Sequence, residues 1–259
     1  MIQRNALLSA AVEEFRGARS TLIRQALKLK ARAFSQSAAK CLVIAPHPDD
    51  EVFGMGGTIA AKTAAGAEFV FVLATKGEQA HCDCCAATAT EVGAKRRTQF
   101  EQAITALGVN NPSVLELGLL DGGVVGLHGS DYLRCRDRIA LAFADSTPEE
   151  IFYPAFSDSH PDHKGLSRLC HEAVATAKLN CREYRYITWG WYLPSLAFCL
   201  ELAHAGVLWS DARPWLECKK RAIDVYLRST AASCGQPYCG RLPPALVNAC
   251  ASGQEFFLS

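Results

Sequence analysis

Short apolar runs punctuate the chain: Cys41-Leu42-Val43-Ile44-Ala45, Phe69-Val70-Phe71-Val72-Leu73-Ala74, Val114-Leu115-Glu116-Leu117 and Ile151-Phe152-Tyr153-Pro154. Runs this short and this apolar suit strands covered on both faces, since a strand with one wet face alternates apolar with polar side chains. Between them the spacing turns helical, predicting helices around 56–65, 91–107, 134–144, 166–178 and 214–227, with a further strand over 185–192. Gly108 supplies a C-terminal stop for the second helix. Strands alternating with helices predict an α/β fold: a doubly wound, mostly parallel sheet with helices on both faces. Ligands of such sheets lie beyond the carboxyl ends of the strands, so chemistry is sought after Ala45, Ala74, Leu117, Pro154 and Tyr192.

The first 34 or so residues read as one helix, with Leu7, Leu8, Val12, Phe15, Leu22, Ile23, Leu27 and Leu29 near helical spacing. Arg4, Arg16, Arg19, Arg24, Lys28, Lys30, Arg32 and Lys40 stand there against Glu13 and Glu14, on a chain whose net charge is +1. We therefore divide the chain into a basic, amphipathic helical extension, 1–38, and an enzyme-sized domain, 39–259. The extension is expected to pack on the domain with its basic residues facing water; peripheral contact with an anionic membrane surface is the competing reading.

A length of 259 residues with 49% hydrophobic residues provides a sizeable core. The near-neutral balance gives no sign of a nucleic-acid partner. Glu13 and Glu14 interrupt any signal-peptide run, and no stretch approaches about 18 apolar residues. The expectation is a cytoplasmic protein whose 12 cysteines are mostly reduced and packed as small hydrophobes.

Two of the strand-end segments carry the chemistry. One reads Pro46-His47-Pro48-Asp49-Asp50-Glu51, the other Ser157-Asp158-Ser159-His160-Pro161-Asp162-His163. Imidazole and carboxylate together suit a borderline divalent ion such as zinc, and two ligands from one loop with one from the other would leave a position open for water. Either loop alone reads equally well as a turn, with Asp162 capping the helix that follows. Two such loops at corresponding strand ends are harder to explain that way. Neighbouring buried carboxylates such as Asp49, Asp50 and Glu51 also repel one another unless a cation or proton offsets them.

These motifs resemble the paired signature of the PIG-L/LmbE-like N-acetylglucosaminyl deacetylases. The resemblance runs over about residues 40–230, through Gly56-Gly57-Thr58, Thr75-Lys76-Gly77-Glu78, Leu107-Gly108-Val109, Leu119-Leu120-Asp121-Gly122 and Lys220-Arg221-Ala222-Ile223 with Tyr226 and Ser229. It implies a Rossmann-like fold, one Zn2+ per chain held by His47, Asp50 and His163, and hydrolysis of an acetamide on a small-molecule or glycoconjugate amino sugar. By the same resemblance Asp49 is the general base, His160 holds the developing oxyanion as imidazolium, and Asp162 orients its neighbouring histidine. An arginine contacting substrate falls on Arg96, but the glutamate that follows it in the family is Gln99 here. Asp121, after the third strand, is a further candidate for binding sugar hydroxyls.

Other features are weighed against plainer readings. In His81-Cys82-Asp83-Cys84-Cys85 the one-residue spacing is unlike that of structural zinc sites, so a loop is expected rather than a second metal. Cys234 and Cys239 are close enough in sequence to pair under oxidation, although reduced thiols are the default. Tyr186, Trp189, Trp191 and Tyr192 serve either as core or as a sugar-stacking platform. Gly54-Met55-Gly56-Gly57 does not complete a dinucleotide fingerprint. Two other functions stay open: a metal amidase acting on a non-sugar amide, and a non-catalytic Rossmann-like binding module.

Overall fold

The computed structural model describes residues 2–81, 85–228 and 242–259. Cys82, Asp83, Cys84, Ser229, Cys234 and Cys239, singled out above, lie outside them. The helices are α1 (Ile2–Lys30), α2 (Asp50–Ala64), α3 (Ala89–Ala106), α4 (Gly129–Ser146), α5 (Pro161–Ala177), α6 (Leu196–His204), α7 (Leu216–Leu227) and α8 (Pro244–Cys250). The strands are β1 (Arg32–Ala33), β2 (Cys41–Ala45), β3 (Phe69–Leu73), β4 (Ser113–Glu116), β5 (Glu150–Pro154), β6 (Arg182–Tyr186), β7 (Val207–Asp211) and β8 (Gln254–Leu258).

One sheet holds all eight strands in the order β1-β7-β8-β6-β5-β2-β3-β4. Every pairing is parallel except those of β8, which runs antiparallel between β6 and β7. The fold is thus the expected mostly parallel α/β sheet with helices around it. Alternate residues of β2 enter two separate cores: Cys41, Val43 and Ala45 on one side, Leu42 and Ile44 on the other. That two-sided burial is why its sequence is continuously apolar. From β2 the chain proceeds to β3 and β4 on one flank, then returns to pair β5 with β2 on the other. The switch point of the sheet therefore falls between β2 and β5, where a crevice opens at the strand ends.

The strand expected over 185–192 ends at Tyr186 and gives way to a 3-10 turn at Trp189–Trp191. β7 and β8 had no counterpart in the sequence reading. The expectation that the basic residues of the first helix face water holds only in part: Lys30 and Arg32 are exposed, Arg16, Arg19 and Lys28 half-buried. Arg24 is buried and donates to the Ala249 carbonyl (2.6 Å), while Lys30 donates to the Leu202 carbonyl. Both cations thus satisfy carbonyls in the last turns of α8 and α6, where a helix end attracts positive charge. Arg19 donates to the Tyr192 carbonyl (2.7 Å), and Lys28 lies 4.2 Å from the centre of the Trp209 ring. Phe15, Leu22 and Leu29 also face outward, 65%, 66% and 91% exposed. Among the described residues no helix is long and apolar enough to cross a membrane.

β8 also ties down α2, the helix that carries Asp50. α2 kinks at Met55, whose φ of −150° is not helical. Glu255 of β8 accepts the backbone N–H groups that the kink frees, from Gly57 (2.8 Å) and Thr58 (2.7 Å). Lys219 of α7 pairs with the same carboxylate at 2.6 Å, both side chains being almost wholly buried. Lys219→Met would leave Glu255 charged and unpaired, so unfolding free energy in urea should fall by about 3–5 kcal/mol. A loss below about 1 kcal/mol would show that the pair is not dry.

Candidate metal and catalytic site

The loop after β2 and the first turn of α5 meet at the switch point. His47 stands two residues beyond β2, and Asp50 is the first residue of α2. His160 caps α5, whose first two residues are Pro161 and Asp162, so His163 arrives inside the first helical turn. Asp50 Oδ2 lies 3.1 Å from His47 Nδ1 and 3.1 Å from His163 Nε2. The far nitrogen of each ring is held by carboxylates. His47 Nε2 is 3.1 Å from Asp121 and 3.4 Å from Asp162, and His163 Nδ1 is 3.6 Å from Asp158. The Thr188 hydroxyl lies 3.2 Å from His163 Nδ1 and bonds the same Asp158 oxygen. Both imidazoles thus turn one nitrogen inward to a shared carboxylate and anchor the other, as metal-ligating histidines do.

Electrostatics agree with a cation site. Burial would lower the pKa of His47, but Asp121, Asp162 and Asp50 raise it well above the usual histidine value. His163 is likewise pushed up to about 9, burial being outweighed by Asp50 and Asp158. Burial opposes the charge on Asp50, yet His163 and His47 hold it far below the usual carboxylate range. The surrounding carboxylates therefore favour two positive charges on these rings, and one divalent ion supplies the same charge in place of the two protons. His163 Nε2 is buried and makes no hydrogen bond of good geometry, as a nitrogen reserved for a metal would. Two groups have donor atoms all within 4.8 Å of one another: His47, His160 and His163, and His47, Asp121 and Asp162. The inward-facing set His47, Asp50 and His163 is neither of these; it is marked out by Asp50 Oδ2, which lies 3.1 Å from one nitrogen of each ring.

Asp49 adopts φ 143°, a conformation that favours glycine and costs a larger residue about 1–3 kcal/mol. Surrounding bonds hold it there: its N–H donates to Glu51 (3.1 Å) and its Oδ2 accepts from Arg96 (2.7 Å). Burial raises the Asp49 pKa to about 6, with Arg96 opposing the rise and Asp50 adding to it. Burial lifts Glu51 to about 8, although the Tyr226 hydroxyl bonds it. Arg96, its side chain 14% exposed, points into the site and also donates to the Pro48 carbonyl. Gly77, at φ +63°, makes room for it, since a Cβ there would sit 2.4 Å from Arg96 Nε. Gln99 is buried and bonds the Val225 carbonyl (2.9 Å) rather than pairing with Arg96.

The geometry bears on three expected roles. His160 Nδ1 accepts the Asp162 N–H (3.3 Å), so that nitrogen carries no proton. Burial, His163 and His47 lower the His160 pKa to about 4, which disfavours an imidazolium there. Asp162 meets its neighbour His160 only through that N–H, and its carboxylate serves neither His160 nor His163. Its carboxylate reaches His47 and accepts N–H groups from Gly122 (2.7 Å) and Val124 (3.1 Å). Gly165 allows that loop to approach α5, because a Cβ there would lie 2.9 Å from Val124 backbone atoms. Asp121 lines the cavity, yet both its oxygens are engaged, on His47 and on the Gln79 N–H (2.9 Å). The roles of Asp158 and Thr188 were missed; Asp158 stood within the quoted motif, but Thr188 joins only through the fold.

The site opens into a cavity of about 610 Å³ lined by His47, Asp49, Asp50, Arg96, Asp121 and His160, together with residues of other elements. A doubly wound sheet with a histidine–aspartate cluster at its switch point defines the class. Residues 42–175 match the family model described as PIG-L, GlcNAc-PI de-N-acetylase, and the chain belongs to that family. A 1D-myo-inositol 2-acetamido-2-deoxy-alpha-D-glucopyranoside deacetylase of Nakamurella multipartita is 31% identical over 163 residues, 54% of this chain and 56% of that protein. A diacetylchitobiose deacetylase of Thermococcus kodakarensis is 30% identical over 144 residues, 54% of this chain and 51% of that protein. The chain thus spans about half the length of these curated relatives. Among solved structures, the N,N'-diacetylchitobiose deacetylase of Pyrococcus horikoshii superposes with a TM-score of 0.62 at 26% identity, covering 83% of this chain and 79% of that one.

Elemental analysis of purified protein should find about one tightly bound divalent ion per chain, lost in His47→Ala and Asp50→Ala. Asp158→Asn should keep the ion but bind it about 10–100-fold more weakly in competition with a chelator. Unchanged affinity there would rule out Asp158 as the anchor of His163.

Proposed function

We propose that this chain is a metal-dependent hydrolase, with zinc as the ion its donor set suits, that removes the acetyl group from an N-acetylated amino sugar. The observation that carries this reading is the convergence of His47, Asp50 and His163 beside an unusually basic carboxylate, Asp49, at the wall of an accessible cavity. The named relatives, deacetylases of acetamido sugars, support the substrate class.

His47, Asp50 and His163 would hold the ion, which when bound supplies Lewis acidity and lowers the pKa of water to about 7. The remaining steps belong to the chain. With Oδ2 on Arg96, Asp49 presents Oδ1 to take a proton from the attacking water and return it to the departing amine. Its pKa of about 6 suits both halves of that exchange. His160 donates from Nε2 to the acetyl oxygen as negative charge develops there. Being neutral, it can do so without repelling a bound cation. Arg96 holds Asp49 in its strained conformation and moderates its basicity.

Acetate release from a panel of N-acetylglucosamine derivatives tests the reading. Asp49→Asn should retain its metal while kcat falls by roughly 10²–10⁴. Equal loss of metal in that variant would mean that Asp49 is a ligand. Catalysis needs Asp49 unprotonated, so kcat/KM should fall as pH drops through its pKa. Arg96 opposes the rise of that pKa, so Arg96→Met should move the acidic limb of the profile to higher pH. An unmoved limb would assign it to another group. Silence across the sugar panel, with release from simple acetamides, would overturn the sugar assignment alone.

A further inference from the structure

The inner wall of the cavity comes from residues 42–175, the span that matches the family; the wall beyond His160 does not. There the rings step outward, from His160 to Trp189 at 5.9 Å between centroids and from Trp189 to Tyr192 at 6.0 Å. Leu242, Pro243 and Leu246 continue this wall in carbon, and Leu193, 44% exposed, marks where it meets solvent.

α1 holds the wall together. The Tyr192 hydroxyl donates to Glu13 Oε1 (2.8 Å) and accepts from Arg16, whose guanidinium carbon lies 4.5 Å from the ring centre. Glu13 Oε2 accepts the Ala245 N–H (3.1 Å), joining Tyr192 to the start of α8. Arg16 and Glu13 also pair with each other at 3.0 Å, so their charges cancel. The wall therefore offers aromatic and aliphatic surface, and its charged lining residue, Arg16, is neutralised by Glu13, next to the place where the sugar's acetamide reacts.

We propose that this wall is a subsite for an uncharged apolar aglycone, an alkyl or aryl group, with Glu13 and Arg16 as residues that position Tyr192. The assignment rests on the amino-sugar reading above and gives that reading a substrate class. The relatives above are named for an inositol glycoside and for diacetylchitobiose, whose aglycones are polyols. Such a polyol would set hydroxyls against carbon, and burying them unpaired is unfavourable.

The experiment compares N-acetylglucosaminides carrying methyl, octyl, phenyl and myo-inosityl aglycones. KM and kcat are measured for each, together with calorimetric Kd on the metal-loaded protein. Octyl and phenyl glycosides should show KM and Kd at least about tenfold below the methyl glycoside, because apolar area leaves water, while the inosityl glycoside should not. Tyr192→Ala, and Glu13→Gln, which preserves shape, should bring the octyl-to-methyl ratio towards one. Equal values for octyl and methyl, or tighter binding of the inosityl glycoside, would overturn the subsite. A ratio unchanged in both variants would overturn its placement on this wall. Octyl preference in Kd without acetate release from any glycoside would uphold the subsite and sink the deacetylase reading.

Discussion

The placement of Asp50 Oδ2 between His47 and His163, 3.1 Å from each, is the constraint on which the rest of the site depends. Asp50 and His47 come from the end of β2, and His163 from the end of β5. These neighbouring parallel strands have chains that leave in opposite directions around the sheet. No loop has to reach across the molecule, because the winding of the sheet brings the two ends together. The crevice is therefore a consequence of topology, and the side chains are its lining.

So dense a set of buried carboxylates and imidazoles is stable only because each group is matched. Asp121 and Asp162 hold His47, Asp158 and Thr188 hold His163, and Arg96 holds Asp49. The same matching divides the carboxylates into roles. Asp50, between two imidazoles, stays strongly acidic; Asp49, buried with one guanidinium, becomes a base near neutrality. Two adjacent residues of identical chemistry differ because the left-handed turn at Asp49 sends their side chains to different partners.

Elements outside the family-matched span do more than enclose this core. Glu255 of β8 caps the kinked half of α2, and Lys219 neutralises it, so the C-terminal strand steadies the helix that begins with Asp50. α1 sets Arg24 and Lys30 on the carbonyl ends of α8 and α6 and Arg16 and Arg19 on Tyr192, and leaves Phe15, Leu22 and Leu29 outside. Its charge is thus partly an internal fastening.

The sequence by itself determined the parallel core of the fold and the residues of its switch point. β2, β3 and β5 are buried on both faces, which forces continuous apolar runs, and the motifs sit directly after two of them. Only the tertiary structure decided β7 and β8, because their pairing joins residues distant in the chain, and β7, Val207-Leu208-Trp209-Ser210-Asp211, is only partly buried. Likewise only the fold decided that Asp162 serves His47, that burial disfavours an imidazolium at His160 and that Arg96 meets Asp49. Each of these depends on distance, burial and tautomer between residues of different elements. The orientation of α1 was hidden for the same reason: composition shows its cations, but the partners of Arg19, Arg24 and Lys30 are carbonyls, and every residue type carries one.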